Sequence, residues 1–65
     1  MKRTNIHVER ARNKITQNDL AKEVNVTRQS IHSIESGKWS PGVYLAIRIA
    51  KYFNVDVEYL FKLED

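Results

Sequence analysis

TQNDLAKEVNVTRQSIHSIESGKWSP runs from Thr16 to Pro41 and holds two short helical patterns with almost nothing between them. Thr16-Gln17-Asn18-Asp19 is a capping-box variant, with Asp rather than Glu three residues on, and predicts a helix start. Leu20, Ala21 and Val24 follow at helical spacing. Thr27 begins the next helix by the same logic, a hydroxyl cap ahead of Arg28-Gln29-Ser30. Ile31 and Ile34 form its inward stripe, and Gly37 is a natural stop. Asn25-Val26-Thr27 is all that remains for the connection. Two helices joined by so short a turn must bend sharply, which is a helix-turn-helix. The corner wants a residue that tolerates positive φ, and Asn25 is one of the few non-glycine types that does so readily. Ala21 suits a close approach of the two helices, and Val26 can plug the corner. Many helical bundles contain such a corner, so the corner alone does not imply nucleic-acid binding.

Outward from this stretch, His7 to Lys14 reads as a first helix, with Val8, Ala11 and Ile15 spaced for one apolar face. Ser40-Pro41 predicts the start of a fourth helix, Ser as cap and Pro at the first helical position. Val43, Leu45, Ala46, Ile47, Ile49, Ala50 and Phe53 make that helix apolar on more than one side. Asp56 caps a short fifth helix ending near Leu60 or Phe61. Phe61 to Asp65 alternates apolar and polar like a strand. A strand needs a partner. The expected fold is all-α: one domain over residues 1–65, a compact five-helix bundle. A short antiparallel ribbon of Lys2–Asn5 and Phe61–Leu63 is expected to join its ends.

The 65 residues include no cysteine, which removes disulfides and thiolate metal sites. No charged leader followed by an apolar stretch is visible, and no run of about 20 apolar residues. The expected location is cytosolic. His7 and His32 lie far apart with no carboxylate or thiolate at ligand spacing, so neither metal nor cofactor is expected. Ser30 and Ser33 have no general base nearby, so an enzyme has no support. Net charge is +3. It is concentrated at the start: residues 1–16 carry five basic side chains against Glu9, while later residues nearly balance. A basic end suits a polyanion; a solvated helix with scattered charge fits equally well.

The third helix is more informative. With Ile31 and Ile34 inward, an advance of about 100° per residue points Gln29 and Ser36 outward, with His32 and Ser33 beside them. Arg28 sits to the side, at the helix start. Base edges in the major groove are neutral donors and acceptors, read by Gln on adenine, Arg on guanine and Ser on either. A Lys/Glu surface would bring carboxylates against phosphates. The bland alternative is a polar solvent face that happens to lack charge. Tyr44, Tyr52 and Tyr59 read as core edge or interface rather than as base-stacking platforms.

The pattern Gln17, Ala21, Val26-Thr27-Arg28-Gln29, Ile31, Ile34-Glu35, Gly37-Lys38-Trp39 and Pro41, continuing through Leu45-Ala46, Ile49-Ala50, Phe53 and Leu60-Phe61, resembles the Cro/C1-type helix-turn-helix family of phage repressors and bacterial regulators. The likeness spans about Ile6 to Phe61. It implies that Gln17 binds a DNA phosphate, and that Arg28, Gln29 and Ser33 read bases with His32 beside them. It implies that Lys38, the backbone around Trp39 and the helix start at Thr27 contact phosphates. Trp39 either packs on the fourth helix or leans on the DNA backbone. The likeness further implies a structural ion pair between Arg10 and Glu35. Three positions depart from the family. Asn25 replaces the usual glycine. Gly42 stands where Ser is common. Glu9 replaces a core leucine, so Val8 and Ala11 are expected to carry that face of a rotated or loosely packed helix.

The implied function is a double-stranded DNA-binding regulator, a repressor acting as a homodimer on an inverted repeat. Its interface is expected to draw on Tyr44, Ile47, Val55, Val57, Tyr59, Phe61 and Leu63, whose apolar surface exceeds what one small core buries. The alternative is an antitoxin or other protein-interaction module built on the same domain.

Overall fold

The computed structural model describes residues 4–61. Five helices follow in order: α1 (Ile6–Asn13), α2 (Gln17–Glu23), α3 (Arg28–Glu35), α4 (Val43–Phe53) and α5 (Val57–Leu60). The described residues are all-helical. α2 starts as its sequence requires: the Thr16 hydroxyl accepts from the Asp19 amide at 3.0 Å, and the Asp19 carboxylate accepts from the Thr16 amide at 3.0 Å. At α3, the Thr27 hydroxyl accepts from the Ser30 amide at 3.1 Å. Together these caps satisfy amides that a helix start leaves without partners.

Four of the five helices end in one way. The chain enters the left-handed region at Lys14 (φ 57°), Asn25 (φ 61°), Gly37 (φ 81°) and Asn54 (φ 57°). Each time that residue's amide and the next one bond back to consecutive carbonyls of the last turn. After α2, Asn25 donates to Lys22 and Val26 to Ala21. After α3, Gly37 donates to Ile34 and Lys38 to Ser33. The other two corners repeat the pairing, Lys14 to Ala11 with Ile15 to Arg10, and Asn54 to Lys51 with Val55 to Ala50. This is the Schellman motif. Its following residue is apolar and packed against the core at three corners, as Ile15, Val26 and Val55. At the fourth it is Lys38, which is exposed.

The core joins Ile6 of α1, Leu20, Ala21 and Val24 around α2, Ile31 and Ile34 of α3, Ile49, Ala50 and Phe53 of α4, and Leu60 of α5. Each fully buried Leu or Ile contributes about 1.5–3 kcal/mol relative to exposure. Ala21 is 1% exposed, and Val26 leans on the core from the corner it closes.

Two expectations need correction. The buried face of α1 is not Val8, Ala11 and Ile15. Ile6 and Glu9 are buried, Val8 and Ala11 are exposed, and Ile15 is half-buried. α1 is therefore not rotated to hide Val8. Glu9 keeps the inward position, with its carboxylate accepting from the Tyr59 hydroxyl at 2.9 Å and facing the Arg12 guanidinium at 3.9 Å. A buried charge is tolerated when it is paired and hydrogen-bonded; Tyr59 supplies the hydrogen bond and Arg12 the opposite charge. α4 also starts later than Ser40-Pro41 predicts. Gly42 is its N-cap, in extended conformation, and its carbonyl accepts the first helical bond from Ala46. Ser40 and Pro41 belong to the connection. Asp56 does occupy the N-cap position of α5, but its side chain makes no capping bond.

Most of the expected terminal ribbon lies outside the described residues. Next to it, the Asn5 amide donates to the Leu60 carbonyl at 3.0 Å, and Asn5 Nδ2 donates to the Tyr59 carbonyl at 2.7 Å. The start of α1 is thus fastened to the end of α5.

Candidate nucleic-acid interface

Ile31 and Ile34 are buried, so the opposite side of α3 is turned out. Arg28, Gln29 and His32 are exposed there; Ser33 and Ser36 are half-buried. The Ser36 hydroxyl folds back to the Ser33 carbonyl at 3.2 Å, which takes it out of the outward set. The sole acidic residue of α3 is Glu35, and it is buried. No carboxylate of this helix therefore reaches its exposed face.

Glu35 organises the region from behind. Its carboxylate accepts from Arg10 Nε at 2.6 Å and Arg10 Nη2 at 3.0 Å, a two-point contact. Bidentate charge-assisted pairs of this kind are strong and directional. Arg10 Nη1 also donates to the Ile15 carbonyl at 3.2 Å. The hydrogen bond to Glu35, first, holds the Arg10 guanidinium above its ordinary pKa; burial opposes this, and the charge of Glu35 adds to it. Gln17 Nε2 donates to the same carboxylate at 3.2 Å. One side chain thereby ties α1, the start of α2 and the end of α3 together. Gln17 sits beside α3 with one amide hydrogen engaged.

Gln29 and Ser33, together with Thr27, Ser30 and Trp39, line a cleft of about 320 Å³. Arg28 and His32 are exposed on the same helix outside its lining. Lys38 follows on the exposed loop. The Ser33 carbonyl accepts from the Lys38 amide at 3.0 Å and the Trp39 amide at 3.3 Å, so this loop is pinned to α3. Trp39 is 47% exposed and forms one wall of the cleft.

Of the residues expected at an interface between copies, Tyr44, Ile47 and Tyr59 are exposed, at 85%, 38% and 38%. Val55, Val57 and Phe61 are half-buried against the chain's own core. Leu63 lies outside the described residues. Val43 and Tyr52 enlarge the exposed apolar area. Among the described residues no cluster of three His, Asp or Glu side chains could hold a metal ion, and no helix is long and apolar enough to cross a membrane.

Sequence reasoning missed two positioning side chains. Arg48 Nη1 donates to the Val24 carbonyl at 2.8 Å, holding the end of α2 where the corner begins. The signal was an Arg in the middle of a mostly apolar helix whose other charge, Lys51, lies in the last turn. The other is Tyr59, read as core edge or interface, whose hydroxyl donates to the Glu9 carboxylate.

A helix turned out over a tight corner, braced from behind and free of exposed carboxylates, is the arrangement of a DNA-binding transcriptional regulator. A family profile described as Helix-turn-helix matches residues 6–60, and the chain belongs to that family, in its Cro/C1-type form. It is 50% identical over 56 residues to an HTH-type transcriptional regulator of Methanocaldococcus jannaschii, covering 86% of this chain and 85% of that protein. It is 44% identical over 63 residues to one of Archaeoglobus fulgidus, covering 97% and 90%. The regulator YgzD of Bacillus subtilis is 41% identical over 56 residues, covering 86% and 85%. The fold is similar to that of a transcriptional regulator from Listeria innocua, with a TM-score of 0.79 at 19% identity. That match covers 94% of this chain, which spans 58% of the Listeria protein.

Proposed function

We propose that the protein is a single-domain, cytoplasmic repressor that reads an inverted-repeat operator as a symmetric homodimer and acts by blocking polymerase. The observation that carries this reading is the outward side of α3: Arg28, Gln29 and His32 exposed, Ser33 beside them, and its carboxylate withdrawn. Arg28 and Gln29 have the two-point geometry for guanine and adenine. Gln17, Lys38 and the backbone at Thr27 serve phosphates, which fix register without carrying sequence. Two heads about 34 Å apart reach successive major grooves. The exposed apolar surface of Val43, Tyr44, Ile47, Tyr52 and Tyr59 supports self-association.

Selection from a random DNA pool tests the reading and should return an inverted repeat. Sedimentation at micromolar concentration should give one species of twice the chain mass; a clean monomer would refute the dimer. On the selected duplex, Gln29→Ala should cost about 1–3 kcal/mol per half-site and little on scrambled DNA. Lys38→Ala should weaken both duplexes together. It should also flatten the plot of log affinity against log salt by about one unit per lost phosphate contact. Equal weakening of both duplexes by Gln29→Ala would exclude direct readout by α3.

A further inference from the structure

We infer that Arg48 is a positioning residue for operator binding: it is the strut that sets the angle between the α2–α3 corner and α4, and so lets two heads engage both half-sites at once. The inference rests on the proposal that the protein binds an inverted repeat as a homodimer.

Polar bonds divide the molecule into two bodies. α1, α2 and α3 are joined through the Glu35 carboxylate, which accepts from Arg10 and Gln17. The corner between α2 and α3 closes on its own amides, Asn25 to Lys22 and Val26 to Ala21. α4 and α5 make the second body. It carries the exposed apolar surface of Val43, Tyr44, Ile47, Tyr52 and Tyr59. The body that presents α3 and the body offered to a second copy are therefore different. What joins them decides where α3 stands relative to the two-fold axis.

Polar ties cross between the bodies at either end. At one end Asn5 donates to the Leu60 and Tyr59 carbonyls, and Tyr59 donates to Glu9. At the other, Arg48 Nη1 donates to the Val24 carbonyl at 2.8 Å. That tie reaches the corner itself. Val24 is the C-cap of α2, one residue before the left-handed Asn25. Its carbonyl lies beyond those of Ala21 and Lys22, which the corner's own amides use. Val24 is 2% exposed, and a carbonyl in such a place needs a partner. A cation there also suits the negative end of a helix.

Arg48 stands in the surface offered to a second copy as well. Ile49, Ala50 and Phe53 turn α4 to the core, and Arg48 is exposed on its outer side. Tyr44 and Tyr52 lie four residues before and after it, on the same stripe, 85% and 40% exposed. A copy seated on these tyrosines shields the bond from Arg48 to Val24 from water, which strengthens it. One head bound to one half-site does not need the angle to be fixed. The second head does, because a linked site is reached at high effective concentration only when geometry permits both contacts together.

The test compares the selected inverted repeat with a duplex in which one half-site is scrambled, by fluorescence anisotropy over a range of salt. Arg48→Met should bind the half-site duplex within about twofold of wild type and the full repeat about tenfold more weakly, the factor carried by one charge-assisted hydrogen bond. It should sediment as a dimer, keep its helical circular dichroism and keep the wild-type salt slope. Arg48→Lys, which can still donate to a carbonyl, should recover most of the loss. Equal weakening on both duplexes, through unfolding or otherwise, would make Arg48 a stability residue and overturn the inference. A salt slope flattened by about one unit or more would make it a phosphate contact, and a monomeric Arg48→Met an interface contact; either overturns it. So would an undiminished affinity for the full repeat, or an Arg48→Lys as weak as Arg48→Met. In all these cases a wild-type dimer that prefers the full repeat leaves the operator reading standing. If wild-type protein binds the full repeat no more tightly than the half-site, that reading fails and takes the inference with it.

Discussion

Arg10→Met removes one partner of a buried pair and leaves the other stranded. Glu35 is 5% exposed and cannot regain water without opening the bundle. It would lose two donors, at 2.6 and 3.0 Å, and keep the Gln17 amide at 3.2 Å. Stranding a buried charge in this way costs about 3–5 kcal/mol. A domain of 65 residues has only about 3–10 kcal/mol in total. The variant should therefore lie near its own unfolding midpoint in water. Replacing both partners, as Arg10→Met with Glu35→Leu, removes the charge as well as its partner. Such replacements are often neutral or stabilising, so the double variant should fall within about 1 kcal/mol of wild type or above it. Urea denaturation followed by circular dichroism decides. With a slope of about 1 kcal/mol per molar urea, the single variant should lose about 3 M in midpoint or lack a folded baseline altogether. The double variant should recover it. A loss under about 1 kcal/mol in Arg10→Met, or a double variant as weak as the single, would refute the reasoning.

Gly42→Ser should raise stability by about 0.3–0.5 kcal/mol, because the N-cap of α4 has no side-chain cap and nothing lies within 4 Å of an added Cβ; a thermal melt should gain about 2 °C. Lys14→Gly should add on the order of 1 kcal/mol by relieving a left-handed lysine, visible as a higher urea midpoint. Tyr59→Phe should lower the urea midpoint in wild type and leave it unchanged in a Glu9→Leu background, where no carboxylate awaits the hydroxyl. The Glu9 hydrogen bond raises the Tyr59 pKa above 10.0, so its contribution is complete below that value and lost as pH rises through the folded one. Melting temperature between pH 8 and pH 12 should consequently fall less in Tyr59→Phe. Asp19 goes the other way: its hydrogen bonds with the Thr16 backbone and side chain lower its pKa below 3.8. That contribution is present above the ordinary value and lost as pH falls through the folded one, so Asp19→Asn should flatten the acid limb of the melting curve.

Local chemistry made the corner readable. Thr16, Asp19, Thr27, Asn25 and Gly37 act on neighbours a few residues away, and their reading needs no knowledge of the rest of the chain. Ile31 and Ile34 likewise fixed the inward side of α3, from which its outward polar face followed. α1 failed because periodicity counts apolar side chains. Glu9 is buried with its carboxylate hydrogen-bonded by Tyr59, 50 residues later, a partner no local pattern shows. Val8 was taken for the core in its place. Gln17 is similar: the family resemblance marks it, but its bond to Glu35 depends on how α2 meets α3. The cleft under Trp39 was illegible for a related reason, since it arises from a loop folding back onto Ser33.

The outward corner after α3 has an entropic consequence. Lys38 occupies the place in its Schellman motif where the other three corners put an apolar residue into the core. Its backbone is consequently ordered before any ligand arrives, by its own amide and by that of Trp39. Fixing one residue's backbone costs about 1–2 kcal/mol, and here folding has already met that cost. A cation on a loose loop would meet it again on every association. In the proposed phosphate contact Lys38 has only its side-chain rotamers left to lose, and such preorganisation strengthens binding without adding a contact.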